Sequence, residues 1–101
     1  MANTATALFR GAATTNTGTT LYTVPSATTA VVTNVVVTNT ASSDGTFTLA
    51  LDDVSFASAV TIPAKGIVTL DIRQVLAATE TIKGGANSTS INFHISGMEI
   101  A

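Results

Sequence analysis

The chain has 101 residues, of which 46% are hydrophobic and 10% are charged, and it carries a formal net charge of −2 and no cysteine. Globular proteins average about 25% charged residues, and disordered chains combine low hydrophobicity with high net charge, so this composition excludes disorder and favours one folded domain over residues 1–101. The scattered basic residues exclude a phosphate-binding patch for nucleic acid, and the missing cysteines exclude disulfides and thiolate sites.

The N-terminal residues, MANTATALF, contain neither the basic region nor the long apolar run of a signal peptide. No segment approaches the ~20 apolar residues of a membrane-spanning helix, so we expect synthesis in the cytoplasm and no membrane partner. Residues 1–6 lack periodicity and are predicted to form a flexible arm. Leu8, Phe9 and Arg10 follow as a candidate contact arm, and the alternative is an ordinary edge strand with a frayed start.

The first half of the chain reads as short strands separated by turn residues. Asn16-Thr17-Gly18 divides residues 9–13 from residues 21–24, and Pro25 ends the second of these runs. Residues 30–40 are apolar on both faces and are predicted to form a central strand, covered by a second sheet on one side and by a neighbouring subunit on the other. Its apolar positions are Val31, Val32, Val35, Val36 and Val37.

The second half of the chain shows clearer alternation. Asp44-Gly45 predicts a hairpin turn, because both residues tolerate positive φ. Three later runs have period two, which is the pattern of a strand half-buried on a sheet. Their predicted inward positions are Phe47, Leu49 and Leu51 in the first run, Val68, Leu70 and Ile72 in the second, and Ile91, Phe93 and Ile95 in the third.

Three further features complete the pattern. Residues 73–78 have helical propensity but are too few to stand alone, so we predict one short helical turn that links two strands. Residues 84–87 are predicted to form a turn, and Gly97 inside the last run predicts a bulge or a close backbone approach. The chain therefore predicts an all-β fold: a single antiparallel β-sandwich, jelly-roll or Ig-like, with about eight short strands.

The sequence contains no constellation of catalytic side chains. His94 is the only histidine, and without a second ligand at a useful spacing it is interpreted as a surface or interface imidazole and not as a metal ligand or base. Asp52-Asp53 matches no calcium loop, so we expect a solvated turn, with a cation-holding role as the alternative. Because a serine or threonine nucleophile needs a base and an orienting group, we predict no enzyme activity, no cofactor and no metal site.

Four short sequence motifs follow one another in a distinctive order. Leu21-Tyr22-Thr23-Val24-Pro25 precedes AVVTNVVVTNT at residues 30–40, and Ile62-Pro63-Ala64-Lys65-Gly66 precedes the ending NFHISGMEI at residues 92–100. This succession resembles a group of small virion structural proteins of tailed bacteriophages, in which an LYTVP strand leads into a VVTNIVVTNT-like strand. The resemblance covers roughly residues 21–100 and carries no catalytic motif.

The resemblance implies a β-sandwich structural component of a phage particle, made in the host cytoplasm. The first expectation is a capsid decoration, or cement, protein on the capsid surface, which binds the outer surface of the major capsid protein shell and stabilises it. By analogy with three-fold positions on shells, a homotrimer is expected. The alternatives are a tail, neck or fibre component and, from a different class, a carbohydrate- or calcium-binding β-sandwich module.

An uncharged stretch from Gly11 to Ser43 bears on these alternatives. The cores of protein interfaces are depleted in charge, and hydroxyls and amides cost less to desolvate than ionised groups. One interpretation is therefore that this stretch is where subunits meet one another or the shell. The other is that Thr, Ser and Asn simply keep a β protein soluble.

Overall fold

Nine strands in two antiparallel sheets make up the fold. The structure, a computed structural model, describes residues 3–101. Its strands are β1 (Asn3–Ala12), β2 (Thr20–Thr23), β3 (Thr29–Asn39), β4 (Gly45–Leu51), β5 (Val54–Ile62), β6 (Ile67–Leu70), β7 (Gln74–Leu76), β8 (Thr81–Ala86) and β9 (Ile91–Ile100). The predicted all-β sandwich is confirmed, with nine strands where about eight were expected.

The valine-rich run is the central strand of the larger sheet, which we call sheet A. Sheet A has the order β1-β9-β3-β6, and β7 also pairs with β3. β3 pairs with β9 along its whole length and, on its other side, with β6 and β7 in succession. This confirms the predicted central position. The core-facing side of β3 is buried, whereas the side that carries Val31 and Val36 is only half-buried.

The smaller sheet, which we call sheet B, has the order β2-β8-β4-β5. Residues 84–86 of the segment predicted as a turn lie within β8, so that prediction was wrong, and only Asn87 follows the strand. Both glycines are buried because other backbone comes close to them. A Cβ on Gly84 would lie 2.5 Å from the carbonyl oxygen of Thr48, and one on Gly85 would lie 2.5 Å from that of Asn16. The lack of a side chain at Gly84 therefore lets β4 pack closely against β8, and the lack of one at Gly85 lets the loop between β1 and β2 pack onto sheet B.

The core lies between the two sheets, where the alternation of the strands places it. Phe47 and Leu49 from sheet B and Ile91, Phe93 and Ile95 from sheet A are all buried. The ring centroids of Phe47 and Phe93 are 6.2 Å apart with their planes at 71°, an edge-to-face contact across the sandwich. The remaining predicted inward residues lie at the margin of the core: Leu51, Val68, Leu70 and Ile72. The strand registers inferred from period two are therefore confirmed.

Asn39, at the end of β3, is a buried polar side chain that joins two of the connections between the sheets, β3 to β4 and β5 to β6. Its Nδ2 donates to the carbonyl oxygens of Ser43, at 2.9 Å, and of Ile62 and Pro63, both at 3.3 Å. Its Oδ1 accepts from the backbone N–H of Ala41 at 3.0 Å. Because every polar atom of the amide has a partner, the cost of burying it is offset by hydrogen bonds that hold the loops in place.

The predicted helical turn at residues 73–78 was wrong. Gln74–Leu76 forms β7, and its three residues pair with Ala30–Val32 of β3. Leu76 is buried, and Val75 points outward with 67% of its surface exposed. Three residues with weak helical propensity gain more from the open hydrogen-bonding edge of β3 than from a single unsupported turn of helix.

The hairpin predicted at Asp44-Gly45 was also wrong, because β3 and β4 belong to different sheets. The connection crosses the sandwich, and an Asp44 carboxylate oxygen accepts from the backbone N–H of Ala64 at 3.1 Å. Gly45 has no positive φ; it is buried where a Cβ would lie 2.6 Å from the Cδ1 atom of Ile91. The glycine is needed here for packing and not for a turn.

The flexible arm predicted at residues 1–6 is a strand over its described part. Residues 3–6 belong to β1 and pair with the end of β9, beginning with Asn3 opposite Ile100. Met1 and Ala2 lie outside the described residues. The alternative of an edge strand is the one that the structure supports, because β1 is the first strand in the order of sheet A.

Replacing Phe93 with alanine should lower the free energy of unfolding by about 3–5 kcal/mol, because the fully buried ring would leave a cavity beside Phe47. The matched control is Val54→Ala, since Val54 is 69% exposed, and it should cost less than about 0.5 kcal/mol. Chemical denaturation followed by circular dichroism measures both. Equal, small losses in the two variants would show that the register of β9 is displaced by one residue.

Candidate functional site

The side of sheet A that faces away from the core is a broad surface, which we call the outer face. Strand register and alternating burial identify its members, which come from all five strands of the sheet. They are Ala5, Ala7, Arg10 and Ala12 on β1; Asn92, His94, Ser96 and Met98 on β9; Val31, Asn34, Val36 and Thr38 on β3; Ile67 and Thr69 on β6; and Val75 on β7.

Cross-strand pairing arranges these side chains in rows. One row runs across the sheet through Arg10, His94, Val36 and Thr69. The next row runs through Ala12, Asn92, Thr38 and Ile67. Directly opposed residues have Cα atoms about 4.5–5.5 Å apart, so the side chains in a row touch one another. The outer face is therefore a continuous surface built from residues that are distant in the sequence.

The outer face is nearly free of charge. Arg10 and His94 are its only ionisable members, and the charged residues Asp71 and Arg73 lie beyond the end of β6. The uncharged stretch from Gly11 to Ser43 supplies the middle of the face through β3 and also forms the loops and β2. Ile67 and Val75 are each 67% exposed at its rim. A surface depleted in charge meets one condition for the core of a protein interface.

An open depression of about 370 Å³ lies beside two irregularities in the strands of sheet A. Arg10 supplies its only charge, and the Thr33 hydroxyl donates to the carbonyl oxygen of Ser96 at 3.3 Å. Small-molecule pockets enclose most of their ligand and converge several polar groups on it. This depression is open and lined by small side chains, and is a feature of the outer face: its lining is Ala5, Thr6, Ala7, Arg10, Thr33, Ser96 and Gly97.

The candidate contact arm is divided between the two sides of sheet A. The register of β1 against β9 shifts between Ala7 and Phe9, so Leu8 is an extra residue in a β-bulge. Leu8 is buried in the core and Phe9 packs against it. Arg10, opposite His94, is the one member of the three on the outer face. The sequence does not indicate this bulge, because the apolar pair Leu8-Phe9 is compatible both with a buried core position and with an exposed contact surface.

His94 lies between Arg10 and Val36 on the outer face. Its cross-strand neighbours thus supply neither a carboxylate to orient the imidazole nor a nucleophile for it to activate. Among residues 3–101, no group of three or more His, Cys, Asp or Glu side chains is placed to hold a metal ion.

The acidic pair Asp52-Asp53 forms the two-residue turn between β4 and β5. Both residues have positive φ, 50° and 63°, as a type I′ hairpin requires, and both are exposed, which confirms the predicted solvated turn. Lys83 forms an ion pair with Asp53 at 2.7 Å. A side-chain hydrogen bond with Glu80 raises the pKa of Asp52, and repulsion from Glu80 and Asp53 adds to it. The two aspartates at the tip of this hairpin are therefore engaged with Glu80 and with Lys83 of β8.

A hydrogen bond between Tyr22 and Glu99 joins the two sheets. Tyr22 lies on β2 of sheet B and donates its hydroxyl to the Glu99 carboxylate on β9 of sheet A. Partial burial raises the pKa of Tyr22 above its usual value, and the hydrogen bond and negative charge of Glu99 raise it further. The ring is half-buried and its hydroxyl is occupied, so Tyr22 acts as a link between sheets and not as an open stacking platform.

The described part of the chain contains no helix with the length and apolar character needed to cross a bilayer. Comparison with known protein families, with curated proteins and with solved structures found no match. The function is therefore inferred from the side chains of the outer face and from the sequence motifs that resemble phage virion proteins.

The titration of Tyr22 tests its contact with Glu99. Tyr22 is the only tyrosine and the chain has no tryptophan, so tyrosinate absorbance reports this residue alone. The midpoint in the folded protein should lie above the ~10 of an unfolded chain, and Glu99→Gln should lower it because the negative charge is removed. The matched control, Glu80→Gln, should leave it unchanged.

The same pKa shift has a consequence for stability. Because the folded state holds the Tyr22 proton more tightly than the unfolded state, its contribution is fully present below pH ~10 and is lost as pH rises above that value. Stability measured across this range should fall less steeply in Glu99→Gln than in the unchanged protein. An identical Tyr22 midpoint in the two proteins would contradict the contact.

Proposed function

We propose that this protein is a non-enzymatic structural component of a tailed-phage virion, a decoration protein that binds the outer surface of the major capsid protein shell and stabilises it. The observation that carries the proposal is the outer face of sheet A, a continuous surface without carboxylates and with apolar side chains exposed at its rim. The major capsid protein is proposed as the partner because of the resemblance to phage virion proteins.

The sequence motifs on which the resemblance is based coincide with structural elements of the fold. The LYTVP motif contains the last three residues of β2 and the two residues that follow it, and the valine-rich motif contains all but the first residue of β3. The ending NFHISGMEI lies within β9, which pairs with β3 along its length. The residues that resemble the phage proteins therefore include the two strands at the middle of the outer face.

The physical chemistry of the outer face suits attachment to a large protein shell. Burying an unpaired charge is costly, whereas hydroxyls, amides and small apolar groups are desolvated at lower cost. A standard interface buries about 800 Å² on each partner. When many copies bind neighbouring subunits of one shell, modest individual contacts combine through avidity to resist its expansion.

A pair of matched variants tests whether the outer face is the docking surface. Thr38 and Thr46 are both half-buried threonines on central strands, but Thr38 lies on the outer face of sheet A and Thr46 on the opposite side of the molecule, on sheet B. Thr38→Lys should weaken binding to shells stripped of this protein by at least about tenfold, because a lysine would be buried unpaired. Thr46→Lys should bind as the unchanged protein does. Co-sedimentation with stripped shells measures both.

Two outcomes would overturn parts of the proposal. Equal binding by both variants would exclude the outer face as the docking surface. Survival of stripped and decorated shells to the same temperature and osmotic stress would exclude a stabilising role. Electron microscopy of intact particles separates the alternative, since copies spread over the icosahedral faces support decoration and copies confined to the tail support a tail, neck or fibre component.

A further inference from the structure

The free edge of β1 is an uncovered row of backbone hydrogen-bonding groups. β1 pairs on one side with β9 and is the terminal strand of sheet A. Over Asn3–Ala7 the register with β9 is regular, and four of these five residues are exposed. Among residues 3–101, the one further hydrogen bond of this segment is local, from the Thr6 hydroxyl to the Thr4 carbonyl oxygen at 3.1 Å.

The other sheet edges have features that disfavour pairing with another chain and that the segment Asn3–Ala7 lacks. β5 shifts its register against β4 twice, and β2 has four residues and one shift. The far edge of sheet A is divided between β6, with four residues, and β7, with three. Bulges and short strands are devices that prevent pairing with another chain. The segment Asn3–Ala7 has no bulge, no proline and no charged residue.

We propose that Asn3–Ala7 pairs antiparallel with the same segment of a second copy of this chain, about a two-fold axis at Ala5. This inference does not rest on the proposed function. The segment is self-complementary in this register, because Thr4 lies opposite Thr6 of the other copy and Ala5 lies opposite its own equivalent. Cross-strand threonine pairs are favourable, and a two-fold contact uses the same patch on both copies.

The surroundings of the segment fit this register. Arg10 is the nearest charged residue of β1 and lies beyond the bulge at Leu8, so the two copies bring no like charges together within the paired segment. The bulge also ends the regular register after Ala7, which limits the pairing to the five residues Asn3–Ala7, centred on Ala5. The result is one sheet that runs through both copies, with their outer faces side by side.

Charge substitution at Ala5 tests the pairing directly. Ala5 is exposed on the outer face, so substitution there should leave the fold intact. Ala5→Lys and Ala5→Glu should each be monomeric in sedimentation equilibrium under conditions where the unchanged protein is a dimer, since like charges would oppose each other at the axis. An equimolar mixture of the two variants should form a heterodimer, detected by native mass spectrometry. Ala12→Lys, an exposed position beyond the bulge, is the matched control and should remain a dimer.

A cysteine at the axis gives a second, independent readout. The chain has no cysteine of its own, so Ala5→Cys introduces a single thiol. Opposed residues in an antiparallel pair have Cα atoms about 4.5–5.5 Å apart, which a disulfide can span. Mild oxidation should link the Ala5→Cys protein into a covalent dimer and leave an Ala12→Cys control monomeric under denaturing conditions.

Several results would overturn the proposal. They are a monomer at every concentration of the unchanged protein, a dimer that Ala5→Lys does not disrupt, a mixture of Lys and Glu variants that stays monomeric, or equal disulfide formation by the two cysteine variants. A trimer would also overturn it, because a two-fold edge contact closes at two copies, and that result would instead favour the three-fold assembly that the phage resemblance implies.

Discussion

Gly97 is the position on which the arrangement of sheet A depends. A Cβ at this residue would lie 2.2 Å from the carbonyl oxygen of Val31 on β3 and 2.8 Å from the Cδ1 atom of Leu8 on β1. Both neighbours of β9 shift their register here, with Leu8 as the extra residue of β1 and Thr33 as the extra residue of β3. The absence of a side chain lets both strands come close, and two bulges flank the same point of β9.

These bulges decide which residues of the sheet face the core and which face outward. Because side chains alternate along a strand, one inserted residue reverses the side on which every later residue lies. The bulge in β1 turns Leu8 and Phe9 inward and leaves Arg10 outward. Thr33 is exposed beside the open depression. The nearly uncharged outer face, on which the proposed docking rests, is therefore a consequence of strand register as much as of composition.

Local patterns were enough to predict the core and the class of fold, because alternation is a property of each strand by itself. The registers of β4 and β9 follow from it. The central place of β3 follows from the apolar residues on both of its faces, and the irregularity at Gly97 follows from a glycine inside a strand. Features that depend on distant partners could not be read in this way. Gln74–Leu76 forms a strand because it pairs with backbone groups at the edge of β3. Leu8 is buried because it is the extra residue of a β-bulge.

The most direct test of this account compares Gly97→Ala with Gly11→Ala. Both glycines lie on adjacent strands of sheet A, but a Cβ on Gly11 would lie 3.5 Å from the Phe9 ring, which is an ordinary contact. Chemical denaturation should show that Gly97→Ala loses about 1–3 kcal/mol of unfolding free energy, because Val31 backbone would be displaced, whereas Gly11→Ala loses none. Equal stability of the two variants would contradict the claim that the close approach at Gly97 sets the register of the sheet.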